Sequence, residues 1–183
     1  MFNTVSGQVF KRWTKIQMGL EYNFYPAGNI LAAEYEISFL HHAFNQRIGY
    51  NQTKRKDFSG YNDDEKGGGI GISLGYRYYF KQECSGFYLG SRLDWWNMKV
   101  DWIDSSQTIN KGSTQIVVLQ PTFEIGYAFP LGKNWQLNTA FVNGMEFNVV
   151  EKGDPVGQGW ITLWQVRIGR YFRQSTVTIT PDF

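Results

Sequence analysis

The stretch Gly67–Phe80, GGGIGISLGYRYYF, alternates strictly between two kinds of side chain. Large apolar side chains share one side: Ile70, Ile72, Leu74, Tyr76, Tyr78 and Phe80. Mostly small or polar side chains share the other: Gly71, Ser73, Gly75, Arg77 and Tyr79. A period of two is that of a β-strand with one apolar and one polar face. The fold of the chain therefore depends on which of these faces points inward.

Seven further segments alternate in the same way, which predicts eight strands. Together the segments are 15–24, 31–39, 44–51, 67–80, 87–95, 117–129, 135–149 and 160–172. In the second half of the chain, two short connections alternate with three long polar ones. The short ones are Lys81–Gly86 and Pro130–Asn134, and the long ones are Thr53–Gly68, Ile103–Thr114 and Val150–Gln158. Short turns at one end and long loops at the other are typical of an up-and-down transmembrane barrel.

The contents of the two faces indicate which one is inside. The polar faces carry six acids and four arginines: Glu21, Glu34, Glu36, Asp94, Glu124, Glu146, Arg47, Arg77, Arg92 and Arg167. The apolar faces carry about 40 aliphatic and aromatic side chains, whereas an eight-stranded barrel is just wide enough for ordinary side chains. The sequence therefore predicts an all-β, eight-stranded antiparallel transmembrane barrel with a polar, charge-paired interior. Pro121 falls inside a strand, which predicts a β-bulge there.

Aromatic residues gather near both ends of the predicted strands, as in the two interfacial belts of a membrane barrel. Near the short turns these are Tyr78, Phe80, Phe87, Tyr127, Phe129, Trp135, Tyr171 and Phe172. Near the long loops they are Trp95, Trp96, Trp102, Phe147, Trp160 and Trp164. The alternative is that these rings belong to an ordinary core.

Composition narrows the remaining classes of protein. A net charge of +2 does not suggest a nucleic-acid partner, and one cysteine, Cys84, forms neither a disulfide framework nor a metal cluster. The first residues lack the apolar core of a signal peptide, so we expect a mature chain from which that segment is absent. We expect three parts: a periplasmic lead-in at 1–14, the barrel at 15–172 and a periplasmic tail at 173–183.

The segments GIGISLGYRYYF, GFYLGSRLDW, FEIGYAFPLGKNWQL and QVRIGRYF resemble those of small outer-membrane β-barrel proteins of Gram-negative bacteria, the OmpX and OmpA-transmembrane-domain type. The resemblance implies a bacterial outer-membrane location, in contact with membrane lipid and lipopolysaccharide. It also implies an aromatic signal on the last strand that the barrel-assembly machinery reads. Val166, Ile168, Tyr171 and Phe172 match that signal, although the tail beyond Phe172 departs from the family pattern.

No catalytic, cofactor-binding or metal-binding residue is predicted. His41 and His42 are the only histidines, and they fall in a predicted turn without a Ser/Asp group or further metal ligands nearby. The lumen charges could relay protons or gate a pore, but buried charges commonly pair simply because pairing lets them be buried. The first functional hypothesis is therefore a non-enzymatic barrel with a closed lumen, acting as a structural, adhesive or accessory subunit with a possible protein partner. The alternatives are a lipid-modifying enzyme and a soluble lipocalin-like carrier.

Overall fold

The computed structural model describes residues 10–56, 64–104 and 110–179, with the side chains of 15–172 among them. Its strands are β1 (Phe10–Tyr25), β2 (Gly28–Phe39), β3 (His42–Lys56), β4 (Asp64–Tyr79), β5 (Gly86–Asp104), β6 (Asn110–Leu131), β7 (Trp135–Lys152) and β8 (Gly159–Ile179). Each strand pairs antiparallel with the next, and β8 pairs with β1 to close the barrel. The predicted eight-stranded up-and-down barrel is confirmed. No helix in the described part of the chain is long and apolar enough to cross a membrane.

The connections lie at the two ends of the barrel, and each end has one of only two residues, since Pro26–Ala27 joins β1 to β2 at the end that carries the predicted long loops. At the end that we call the turn end, β2 and β3 are joined by Leu40–His41, and β6 and β7 by residues 132–134. Gly132 has a φ of 68°, a left-handed conformation that glycine adopts without steric cost. The opposite end, the loop end, carries the three connections predicted to be long.

The strands are longer than the alternating apolar pattern indicated. Phe10 pairs with Ile179, so β1 and β8 extend beyond the predicted barrel limits of 15 and 172. At the loop end, β3 and β4 continue to the pair Lys56–Asp64, and β5 and β6 to the pair Asp104–Asn110. Backbone pairing continues where the outward side chains have become charged, because the ladder requires no apolar face. The apolar periodicity marks only part of each strand.

The polarity of the wall is inverted relative to a soluble protein. Ile72, Leu74, Phe123 and Ile125 are 49 to 62% exposed on the outer wall. Arg77, Arg92, Glu124 and Arg167 point into the lumen and are at most 4% exposed. Along β4 and the adjoining Phe80 the apolar outer surface runs from Ile70 to Phe80, which matches the roughly 9–11 residues that a strand needs to cross a bilayer. The described residues thus form a transmembrane barrel rather than a soluble one.

The predicted bulge at Pro121 is wrong. The register between β6 and β7 shifts instead between Val117 and Val118. Pro121 stays in register with Leu93 of β5. On its other side the pairs Leu119–Phe147 and Thr122–Gly144 share one register, so the ladder accommodates proline without an inserted residue.

Candidate functional site in the lumen

The middle of the lumen is filled by a network of ion pairs that we call the charged layer. Strand alternation brings nine of the ten charged residues singled out in the sequence into this layer: Glu21, Glu34, Glu36, Arg47, Arg77, Arg92, Asp94, Glu124 and Arg167. All nine are at most 4% exposed. Buried charges are tolerated when each has opposite charges and hydrogen bonds nearby, which the layer provides.

Arg77 is the hub of the charged layer. Its Nη1 lies 2.8 Å from Glu34 Oε1 and 2.7 Å from Glu36 Oε2, and its Nε lies 2.6 Å from Glu124 Oε1. The guanidinium also lies 5.5 Å from the ring centroid of Tyr88. One arginine on β4 thereby joins carboxylates from β2 and β6, across the width of the barrel.

The other three arginines extend the network around Arg77. Arg47 pairs with Glu21 and lies 2.6 Å from Asp94, while Arg92 Nε lies 2.9 Å from the same Asp94 carboxylate. Arg167 Nε lies 2.9 Å from Glu34 Oε1. Each of these charges is thus held in place by several partners of opposite sign.

Inward glycines make room for these long side chains. A Cβ at Gly90 would lie 2.4 Å from Glu124 Oε1, directly across the β5–β6 ladder. The same device recurs at Gly112, where a Cβ would lie 2.2 Å from the Trp102 ring. Each of these two glycines thus leaves a space that a facing side chain fills, although Gly112 falls in the predicted loop Ile103–Thr114.

Towards the loop end the lumen is filled by large apolar side chains, which we call the apolar layer. Its members include Ile30, Trp96, Met98, Val100, Trp102, Ile116, Val118, Val142, Ile161 and Leu163. The placement of Trp96 and Trp102 in the outer aromatic belt is wrong, because they are only 1% and 9% exposed. Their indole nitrogens donate to Gln120 and Thr114 at 3.0 and 3.1 Å. Trp95, the neighbour of Trp96, is on the outer wall.

Above the apolar layer, the connection between β7 and β8 covers the mouth of the barrel. Arg55 donates to the carbonyl oxygen of Gly157, and the Gly157 N–H donates to Glu65 at 3.1 Å. Val156 is buried against the apolar layer. The loop is therefore fastened across the lumen from β7 and β8 to β3 and β4.

Glu146, the tenth charged residue from the sequence, lies in this mouth and not in the charged layer. Its carboxylate is 3.5 Å from Arg55, which also pairs with Glu65 at 2.5 Å. Sequence reasoning missed Arg55 and Glu65, since both fall in a segment that was assigned to a loop. Counting every second residue along the strands would have found them. Arg55 lies on the same inward face of β3 as Arg47, and Glu65 lies on the same inward face of β4 as Arg77.

The turn end of the lumen is closed by aromatic, amide and thiol groups. Tyr79 and Tyr88 are buried with ring centroids 5.1 Å apart, and Gln136 donates to the carbonyl oxygen of Cys84 at 2.8 Å. Cys84 lies in the β4–β5 turn, where burial raises the pKa of its thiol to about 11. The thiol is therefore protonated at neutral pH and is a poor nucleophile.

The two histidines lie at the β2–β3 turn and contact β4. His41 Nδ1 is 2.8 Å from the Tyr79 carbonyl oxygen, and His42 Nδ1 is 2.7 Å from the Tyr76 hydroxyl. The described residues contain no group of three or more potential metal ligands. Both histidines tie the β2–β3 turn to β4.

The residues that matched the assembly signal lie on both faces of β8. Ile168 and Phe172 are exposed on the outer wall, at 44% and 62%, and Val166 is half-buried on the same side. Tyr171 has the opposite phase, and the Lys15 ammonium lies 4.8 Å from its ring centroid. The register between β1 and β8 shifts at this point. Phe172 is not the end of the strand, since β8 continues to Ile179.

Comparison with known proteins agrees with this architecture. The structure is similar to a major outer membrane protein from Thermus thermophilus, with a TM-score of 0.53 and 15% identity over 87% of this chain and 99% of that one. It is also similar to Neisserial surface protein A (TM-score 0.48, 14% identity, 88% and 97% covered). A third is the N-terminal β-barrel domain of Pseudomonas aeruginosa OprF (TM-score 0.45, 11% identity, 90% and 100% covered).

At 15% identity, the likeness to the Thermus protein shows the fold, and it confirms the resemblance to small outer-membrane barrels. No curated protein matches the chain. A family model described as "Protein of unknown function (DUF3575)" matches residues 4–154, which is most of the 183-residue sequence. The chain therefore belongs to the DUF3575 family, here with the fold of an eight-stranded outer-membrane β-barrel.

Proposed function

We propose that this protein is a non-enzymatic outer-membrane barrel with a closed lumen, which acts as a structural, adhesive or accessory subunit through its outer wall and loop end. The observation that carries the proposal is the double filling of the lumen by the charged layer and the apolar layer. A cavity of about 10 Å³ in the loop half, lined by Tyr25, Arg55 and Met98 among others, has room for about one water molecule. A hollow of about 170 Å³ also lies at the loop end beside Tyr25, Arg55 and Glu146. The two filled layers therefore support a lumen that is closed to solutes.

The loop end supports a role in contact with other molecules. Beyond the apolar wall, β3 to β6 continue as a paired sheet whose outward side chains are charged, with Lys54 beside Lys66 and Lys66 beside Asp101. A surface hollow of about 420 Å³ lies between these residues and Ile103. Seven of the eight residues that line this hollow are charged, and such a surface is typical of the polar rim of a protein interface. We therefore place a protein partner of an outer-membrane complex, or the phosphates of lipopolysaccharide, at this end.

Two further expectations concern the membrane. The outer wall contacts outer-membrane lipid along its whole apolar band. We also propose that the barrel-assembly machinery reads the outward side chains of β8, with Ile168 and Phe172 at its centre.

Conductance across a planar lipid bilayer tests the closed lumen. The full chain, reconstituted after its folding has been verified by the heat-dependent gel shift of barrels, should give no stable open channel. A wide porin inserted under the same conditions is the positive control. A steady current of porin size through the folded protein would overturn the proposal.

A further inference from the structure

The outer wall formed by β8 and β1 to β4 contains a concavity of about 900 Å³. That volume is within the range of about 300–1,000 Å³ that is usual for ligand sites. Most of its lining is apolar, but three polar side chains also contribute: Arg170, Tyr35 and Gln46. Polar groups at defined positions in an apolar hollow are the general form of a binding site for an amphipathic molecule.

Strand register arranges the lining into two adjacent rows across the wall. In the first, which we call the polar row, Arg170 pairs with Met18, Met18 with Tyr35, Tyr35 with Gln46, and Gln46 with Leu74. In the second, the apolar row, the consecutive partners are Ile168, Leu20, Ala33, Ile48 and Ile72. The apolar row lies two residues closer to the loop end on each strand. On each strand the polar row is thus the one nearer the turn-end interface, and the apolar row is the one nearer the loop end.

Ala33 makes a dip in the middle of the apolar row. It pairs with Leu20 on one side and Ile48 on the other, whose side chains are 61% and 63% exposed. A methyl group between two long aliphatic side chains leaves a groove on the wall. An extended hydrocarbon chain fits such a groove, because its contacts are apolar on both sides.

Gln46 is a polar side chain on the lipid-facing wall. It is exposed, and among the described side chains it makes no hydrogen bond. An amide without a hydrogen-bond partner is costly in hydrocarbon. A ligand with ester or other oxygen acceptors at this depth would remove that cost.

Arg170 gives the site its charge. The Arg170 guanidinium lies 5.7 Å from the ring centroid of Trp135 and 5.9 Å from that of Phe172. It makes no ion pair with a described carboxylate. β8 contains no Asp or Glu, and the only acid of β1 is Glu21, which points into the lumen. Guanidinium groups bind phosphate with two parallel hydrogen bonds, so this cation suits a phosphate ester.

From these observations we propose that the concavity binds one anionic glycerophospholipid of the turn-end leaflet. Its phosphate lies against Arg170, its ester oxygens lie within reach of Tyr35 and Gln46, and an acyl chain lies along the groove at Ala33. The site needs a wall that faces lipid, as the proposed function does, but it is independent of whether the lumen is closed.

Native mass spectrometry of the folded barrel, released from detergent in the presence of added lipid, tests the site. The probes are phosphatidylglycerol and phosphatidylcholine with identical acyl chains. The wild-type chain should retain one phosphatidylglycerol, with an apparent affinity about tenfold higher than for phosphatidylcholine. Arg170→Gln should remove the preference, whereas Lys81→Gln, which removes an exposed cation from the β4–β5 turn, should keep it. Ala33→Phe should weaken the binding of both lipids, because it fills the groove, and Gln46→Leu should also weaken both.

Two results would overturn the proposal. One is that the wild-type chain retains phosphatidylglycerol and phosphatidylcholine equally, as Arg170→Gln does. Every variant must be folded by the gel-shift criterion. The other is a dimer that Ala33→Phe converts to monomers without any lipid retained, which would assign the concavity to a second copy of the chain. Either result leaves the closed lumen standing, since conductance measures that separately, while failure to insert into bilayers at all would remove both proposals.

Discussion

Two regions of one lumen are filled by opposite chemistry, although the same strands build both. On β5, Arg92 and Asp94 belong to the charged layer, and two residues further Trp96 begins the apolar layer. The charged layer depends on specific pairs held at hydrogen-bonding distance, whereas the apolar layer depends on volume. The difference teaches that the interior of a narrow barrel can be filled by paired charges or by apolar volume, and this barrel contains both, one after the other along its axis.

The largest effect is expected from breaking the hub of the charged layer. Arg77→Met leaves Glu34, Glu36 and Glu124 without their shared cation, and stranding a buried charge of this kind costs about 3–5 kcal/mol. The free energy of unfolding in urea, measured by the gel shift in lipid vesicles, should fall by that amount. Lys81→Met, at an exposed turn position, is the matched control and should change little.

A double variant sharpens this prediction. Arg77→Met combined with Glu124→Met removes one of the stranded carboxylates together with the cation. It should therefore cost less than Arg77→Met alone. Equal or greater loss in the double variant would mean that packing volume, and not charge pairing, determines stability in the charged layer.

Truncation of the apolar layer should be slightly less costly and should leave the lumen closed. Trp96→Ala removes a fully buried indole, and the cavity that it leaves costs roughly 3 kcal/mol. Bilayer conductance should stay at zero, because the charged layer still blocks the barrel nearer the turn end. If Trp96→Ala alone opened a steady channel, the charged layer could not be a barrier of its own.

Much of this architecture could be predicted from the alternation of apolar and polar residues along the chain. Residues were misplaced where large or charged side chains occupy both faces of a strand. The charged layer could be assigned because Arg77 and Glu124 stand out among glycines and amides on otherwise apolar strands. The inward position of Trp96 could not be assigned in the same way, since in DWWNMKV large side chains occupy both faces of the strand. Only counting alternate residues from Arg92 and Asp94 separates Trp95 from Trp96. Arg55 and Glu65 were missed because charged residues occupy both faces where the strands leave the apolar band. The fastening of the β7–β8 loop to them involves backbone groups, which leave no periodic signal.

Smaller effects should follow from filling the spaces at glycine in each layer. Gly90→Ala would crowd Glu124 in the charged layer, and Gly112→Ala would crowd the Trp102 ring in the apolar layer. Overpacking of this kind costs roughly 1–3 kcal/mol. Adding Trp102→Leu should rescue Gly112→Ala, measured as the recovery of the urea midpoint. No recovery would show that the glycine is needed for its backbone and not for the space.

The last of these predictions concerns the chemical reactivity of the turn below the charged layer. Because burial raises the pKa of the Cys84 thiol from 9.0 to about 11, its thiolate fraction at pH 8 is lower by about a hundredfold than that of a free thiol. Maleimide labelling of the folded barrel at pH 8 should be slower by at least that factor than labelling in urea. It should accelerate as the pH rises towards 11. Rapid labelling of the folded protein at pH 8 would show that the turn end is open.

The inverted polarity of the wall, on which the whole account depends, is tested most directly by placing one arginine at two depths of β4. Leu74 lies in the middle of the apolar band, and Phe80 lies beside the turn, at the edge of the membrane. An arginine near the bilayer midplane costs about 2–4 kcal/mol and close to zero at the interface. Folding free energies in lipid vesicles should therefore show a loss of that size for Leu74→Arg and little loss for Phe80→Arg. Equal tolerance of arginine at the two positions would contradict a lipid-facing wall.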